Sequence, residues 1–335
     1  MRVLRLHDRR DLRLHDEPVP EAAPGESLVR VVSVGLCGSD VHWLVEGGIG
    51  SQFLDAPMVL GHEFAGVIKS GAREGERVAV DPAIACGNCE FCLEGNPNFC
   101  TSLRFPGPGG YDGALQEYVV WPTRFLHLLP DSLSTADGAM LEPLGVAIHA
   151  VDLGHLKPGM MVGVFGCGPI GLLSIQVARA AGAITVFATD LLESRLEAAQ
   201  SLGATDVFLA GEGTEAAAIL AATDGRGVDV AIEAAGTNDA VEVAMAVAKP
   251  GARVVLVGIP TVDRTTFTAS AARRKGLTIM MTRRMKHTYP RAIRMVQEDM
   301  VDVRSIVTHV YPLGEYRQAF SIAERREGLK VVIEP

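Results

Sequence analysis

Four of the chain's six cysteines fall within fifteen residues, in the stretch ACGNCEFCLEGNPNFC (85–100). Cys86, Cys89, Cys92 and Cys100 follow the spacing C-x2-C-x2-C-x7-C, too tight for easy disulfide pairing among the first three. Four thiolates suit a closed tetrahedral zinc site, which leaves no position for a substrate. Reduced thiols in a loop are the plain alternative. An iron–sulfur cluster would use the same four ligands, but no second cluster motif accompanies them. The spacing predicts a structural staple, and the reaction belongs elsewhere.

Cys37, in VGLCGSDVH, and His62 and Glu63, in VLGHEFAG, stand well upstream of that loop. A thiolate, an imidazole and a carboxylate can hold zinc while leaving a fourth position open, as a catalytic zinc requires. Singly, a Cys or a His more often packs than ligates, but a GHE triplet between apolar strands is more specific. Adjacent residues on a regular strand face opposite ways, so His62 and Glu63 can both ligate only where the backbone is irregular.

A third constellation is Gly166-Cys167-Gly168-Pro169-Ile170-Gly171, a G-x-G-x-x-G run between an apolar strand and a helix. Asp190 ends the next strand. The combination is a dinucleotide fingerprint: glycines for the turn, for close approach of the pyrophosphate and for helix packing, with the acid on the ribose. The helix N-terminus offers its free N–H groups to the phosphates. A carboxylate at Asp190 disfavours a 2′-phosphate, so NAD is expected over NADP; Arg195, five residues on, leaves some NADP use open. Cys167 reads as a small packing residue.

The elements that must position these groups change character along the chain. Up to about residue 140, Val-rich runs such as 27–38, 64–71, 76–83 and 114–122 are bounded by Gly and Pro, predicting an antiparallel, barrel-like β domain. From GMMVGVFG (159–166) onward, strands alternate with Ala-rich helices, as a parallel α/β sheet requires; six strands can be laid out, from VGVF (162–165) to TIMM (278–281). The tail from 282 is strand-rich again and is expected to return to the first domain. These readings divide the chain into a discontinuous domain, 1–142 and 282–335, and a nucleotide-binding domain, 143–281. A formal charge of −9 argues against a nucleic-acid partner and against adhesion to anionic membranes. The uncharged run 159–178 has the length of a membrane span, but its glycines and proline read as strand, turn and helix. No apolar secretory segment opens the sequence, and the cysteine usage fits a cytoplasmic protein.

Together, VGLCGSDVHWLVEGGIGSQFLDAPMVLGHEFAG, LEPLGVAIHA (141–150), the cysteine loop, the glycine-rich turn and THVYPL (308–313) resemble the zinc-containing medium-chain dehydrogenase/reductase family, specifically its sorbitol (polyol) dehydrogenase branch. The resemblance spans nearly the whole chain. It implies a GroES-like catalytic domain split around a Rossmann domain with its doubly wound sheet, and an active site in the cleft between them. It also implies Cys37 and His62 as zinc ligands, with the third ligand either Glu63 or Glu142 of the EPL segment. Ser39 and His42 match the family's proton relay, with a ribose contact as the other role for His42. Trp43 and Phe105 are the expected substrate-pocket walls, and Ala235, Val257, Gly258 and Ile259 complete the expected cofactor contacts. The implied reaction is reversible NAD-dependent oxidation of a polyol or sugar secondary hydroxyl, with two zinc ions per chain, in a dimer or tetramer. Departures are the short KSGAREGERVAV connection and the basic segment around Arg283, Arg284 and Lys286. Other substrates (simple alcohols, threonine, amino sugars) and a non-enzymatic zinc and nucleotide sensor are the competing readings.

Overall fold

A computed structural model of the protein describes residues 1–71, 73–107 and 111–335. The chain forms two compact units: Met1–Glu142 with Tyr289–Gln297 and Val303–Pro335, and Pro143–Thr288 with Glu298–Asp302. Residues 282–288 thus pack with the second unit and the helix Tyr289–Gln297 with the first.

The first unit is built on a seven-stranded sheet, ordered Leu126–Leu128, Arg77–Val80, Glu63–Ile68, Glu26–Gly35, Lys330–Glu334 and Val307–Pro312, with Tyr118–Pro122 also paired to Glu26–Gly35. The pairings are antiparallel except that between the last two strands. Strand Glu26–Gly35 is the organiser. Ser27, Val29 and Val31, two residues apart, are buried on one face, as the period of an extended chain dictates, and a register shift between Val31 and Ser33 resets the alternation so that Val34 joins the same core. Its last residue, Gly35, lies opposite Glu63 on one neighbour and Val332 on the other. The core beneath includes Val29, Val34, Phe64, Val80 and Trp121, with Phe64 and Trp121 edge to face at 5.4 Å. The returning helix locks in through Tyr289, whose hydroxyl donates to the Val80 carbonyl at 2.7 Å. Its ring also stacks on His127 at 4.5 Å.

The strand expected from residue 114 begins only at Tyr118. Gly113, Ala114 and Leu115 instead donate their N–H groups to the Val59, Gly61 and Leu60 carbonyls at 2.7, 2.8 and 3.0 Å. They buttress the loop that carries His62.

The second unit holds six parallel strands in the order Asp206–Leu209, Thr185–Asp190, Met161–Phe165, Val228–Glu233, Ala248–Leu256 and Thr278–Met281. Numbered locally this is the 3-2-1-4-5-6 order of the Rossmann fold. Since crossovers are right-handed, the reversal between the third and fourth listed positions sends the connecting helices to both faces. Val228–Glu233 is buried along its whole length, which explains its near-unbroken apolar run. The run 159–178 becomes strand Met161–Phe165, a turn and helix Pro169–Ala180. Among the described residues no helix is long and apolar enough to cross a membrane.

Candidate metal and cofactor sites

Cys37 caps the helix Gly38–Glu46, and Asp40 in its first turn accepts the Cys37 backbone N–H at 2.9 Å. The other Asp40 oxygen accepts the Gly61 N–H at 3.1 Å and lies 3.7 Å from the His62 Nδ1. One buried carboxylate therefore ties together the two segments that bear the candidate ligands. Gly61 has φ +92°, a left-handed conformation, and a Cβ there would press to 2.8 Å from Val34 Cγ1. Regular strand begins only at Glu63, so His62 and Glu63 are not bound to opposite faces. The required irregularity is present.

The ligand atoms of Cys37, His62 and Glu63 all lie within 4.8 Å of one another. Donors around a tetrahedral zinc sit roughly 3.5 Å apart, given bonds of about 2.0–2.3 Å, so the three fit that ion with small adjustments. Burial, then the nearby Glu63, pushes the Cys37 thiol up to about 11. A cation among the donors is what would hold it as thiolate at neutral pH. Glu142, in the first turn of the helix Leu141–Leu153, is buried and pushed up to about 8, chiefly by that burial. It feels the charges of His62, Glu63 and Cys37, but stands outside the convergent group of three.

Ser39 hydrogen-bonds the Cys37 thiol, and His42 lies three residues further along the same helix, half-buried. The Phe105 ring lies 5.2 Å from that of His62. Trp43 is only 6% exposed and packs in the apolar core of the first unit with Leu44. Its ring is committed to that core by the inward face of an amphipathic helix.

Cys86, Cys89, Cys92 and Cys100 also converge within 4.8 Å. Gly87, with φ +83°, makes the turn between the first two. Cys86 Sγ accepts N–H groups from Asn88 and Cys89 at 3.5 and 3.4 Å, and Cys100 Sγ accepts that of Cys86 at 3.3 Å. Backbone donors aimed at sulfur favour the thiolate; Cys89 is lowered to about 6, most strongly by the Cys92 N–H.

In the second unit Gly166 has φ +101° and a Cβ on it would lie 2.7 Å from the Ala235 nitrogen. A Cβ on Gly171 would strike the Gly166 carbonyl oxygen. Gly168 caps the helix Pro169–Ala180, with Pro169 in its first turn and Ile170 next. Asp190 closes its strand and accepts the Cys167 and Leu192 N–H groups at 2.7 and 2.9 Å, with the Arg195 guanidinium 4.0 Å away. It fastens the glycine-rich loop, and each oxygen keeps a lone pair for a ribose hydroxyl.

Sequence reasoning missed Glu233. This buried acid closes the strand Val228–Glu233 and accepts the Ala235 and Gly236 N–H groups at 2.7 and 2.6 Å, while its carbonyl accepts those of Val257 and Gly258. Ile259, which follows, is 49% exposed. Also missed were Asp40, detectable as the acid three residues after Cys37, and Lys330. The latter is 3% exposed and paired with Glu63; a single cation opening the apolar strand KVVIEP was its only signal. Arg284 and His287, at φ +52° and +46°, make the basic segment a left-handed turn, with Met285 buried between them.

Two sequence profiles match: the alcohol dehydrogenase GroES-like domain over residues 23–131 and the zinc-binding dehydrogenase over residues 169–298. The chain is 36% identical to sorbitol dehydrogenase from Bacillus subtilis strain 168, across 100% of its own length and 97% of that protein. Among solved structures, it superposes on a short chain alcohol dehydrogenase (rspB) from E. coli CFT073 complexed with NADH. There the TM-score is 0.92 at 29% identity, covering 100% and 99% of the two chains. Galactitol-1-phosphate dehydrogenase from Escherichia coli gives a TM-score of 0.90 at 28% identity, with both chains fully covered. Likeness that runs the full length at this identity settles the lineage: the chain belongs to the zinc-binding dehydrogenase family, with a GroES-like first domain and a Rossmann-like second.

Proposed function

We propose that the protein oxidises a secondary hydroxyl of a polyol to a ketose with NAD, reversibly, at a zinc ion held by Cys37, His62 and Glu63. A second zinc is sealed by Cys86, Cys89, Cys92 and Cys100. The observation that carries this reading is the convergence of three unlike donors in one buried cluster, a set that leaves a coordination position open. Polyols as the substrate class are supported by the full-length likeness to a sorbitol dehydrogenase. The unit Met1–Glu142, Tyr289–Gln297 and Val303–Pro335 serves as the catalytic domain, and Pro143–Thr288 with Glu298–Asp302 as the nucleotide domain. The free cysteines fit work in a reducing compartment such as the cytoplasm, and the resemblance implies a dimer or tetramer.

When bound, zinc supplies the Lewis acidity that lowers the alcohol's pKa, and the nicotinamide accepts the hydride. The chain's own groups do the rest. Asp40 fixes the Cys37 backbone and, through the Gly61 N–H, the segment that carries His62. Ser39 Oγ accepts the proton the alcohol sheds and passes its own to His42, its neighbour on one helical face. Glu142 stands beside the donors as a buried acid that can exchange with Glu63. Asp190 takes the ribose hydroxyls and opposes a 2′-phosphate.

The test is NADH formation across a stereochemically complete polyol panel, with zinc per chain measured alongside. Phosphorylated members are included because Arg283, Arg284 and Lys286 cluster in one turn. NADH from at least one polyol, with two zinc ions bound, is expected; no NADH across the panel overturns the reading.

A further inference from the structure

Gly35 ends the central strand of the first unit, and what lies above it is decided by its lack of a side chain. Glu63 is its direct partner on one neighbouring strand. On the other, Val332 is its partner, and Lys330 stands two residues before Val332, on the same face. A Cβ on Gly35 would fall on Glu63 Oε2 and within 3.0 Å of Lys330 Cε. The two side chains therefore close over the glycine from opposite sides, and the Lys330 Nζ pairs with Glu63 Oε2. Lys330 is 3% exposed and Glu63 1%. A buried ammonium is costly without a partner, and the acidic groups acting on Lys330 are Glu63, Cys37 and Asp40.

We infer that Lys330 is a positioning residue for the metal. It engages one oxygen of Glu63, so that the carboxylate ligates through a single oxygen and the fourth coordination position stays available to the alcohol. The inference rests on the reading above that Glu63 is a ligand. Two physical points support it. Carboxylates that ligate metals are themselves held by hydrogen-bonding partners that fix their orientation, and Lys330 is the charged partner Glu63 has. A carboxylate with both oxygens on the ion would occupy two positions and close a site that catalysis needs open.

The experiment replaces zinc by cobalt(II) in the full-length protein and records its visible ligand-field spectrum, which reports donor number and kind. Lys330→Met is expected to keep its cobalt yet show the weaker absorption of a higher-coordinate ion, with kcat/KM down about 10–100-fold, the usual scale for losing such a partner. Lys330→Arg, which restores a buried cationic donor, is expected to recover the wild-type spectrum and most of the turnover. A wild-type spectrum in Lys330→Met overturns the inference. Should that variant not be recovered folded, Lys330→Gln is read in the same way. Glu63→Ala separates the two claims. An unchanged spectrum there removes Glu63 from the ligands and takes the donor set with it. A changed spectrum there with an unchanged one in Lys330→Met defeats the role of Lys330 alone.

Discussion

At the scale of single residues, the proposed metal centre depends on groups outside the donor set. Cys37 sits in surroundings that favour its neutral thiol, so its value as a ligand depends on the ion. Cys37→Ser is expected to drop turnover to background and lose one equivalent of zinc. NADH binding, followed by fluorescence, should persist because the glycine-rich loop lies in the other unit. Gly35→Ala should be far harsher than its one methyl suggests. The added carbon must displace the Glu63–Lys330 pair, and breaking a buried pair costs about 3–5 kcal/mol; denaturant melts of the variant measure it. Asp190→Ala removes the acceptor for the ribose and the anchor for Cys167. The NAD-to-NADP preference in kcat/KM should fall roughly tenfold or more, the scale of a hydrogen bond to a charged group. An unchanged ratio would mean that another side chain reads the ribose. The convergence of Cys37, His62 and Glu63 was legible because each lies within two residues of a glycine, and Asp190 because it ends the strand that follows the glycine-rich turn. Lys330 and Glu233 were not, since their partners are set by strand pairing and backbone geometry that one stretch of sequence does not encode. Trp43, an aromatic beside a reactive segment and expected as a pocket wall, lies among the buried apolar residues of the first unit.

Among the elements, the short strand Leu126–Leu128 and the returning helix meet through His127 and Tyr289, stacked face to face. Burial, then Arg73, lowers His127 from 6.5 to about 4, so the folded chain holds it neutral. The unfolded chain takes up the proton near pH 6.5 and the folded one only near 4. This contribution is therefore complete above about pH 6.5 and is lost as pH falls toward 4, by about 3 kcal/mol. His127→Phe should flatten that part of the stability curve, which denaturation midpoints at pH 7.5, 5.5 and 4.5 would reveal against the wild type. The cysteine loop makes a different prediction. Cys89→Ser should lower the melting temperature before it touches turnover, and a fully stable, fully zinc-loaded variant would contradict a structural role. The parallel strands and their helices were readable from period and length. The start of Tyr118–Pro122 was not, because residues 113–115 look like strand but spend their donors on the His62 loop.

For the molecule as a whole, the two metal groups should separate under a strong chelator. Loss of the ion at Cys37, His62 and Glu63 is expected to abolish turnover with little change in melting temperature. Loss of the ion at the four cysteines should follow and bring the melting temperature down. Simultaneous loss of both properties would merge the two roles. A final consequence follows from the strand pairing around Gly35. The ribosome delivers Cys37, His62 and Glu63 early, but the strand that carries Lys330 emerges only after the entire six-stranded sheet has been synthesised. A nascent chain must therefore carry an unneutralised Glu63 beside a thiol through most of translation. The second unit is free to mature first, and capture of the reactive ion should be among the last events in the protein's birth.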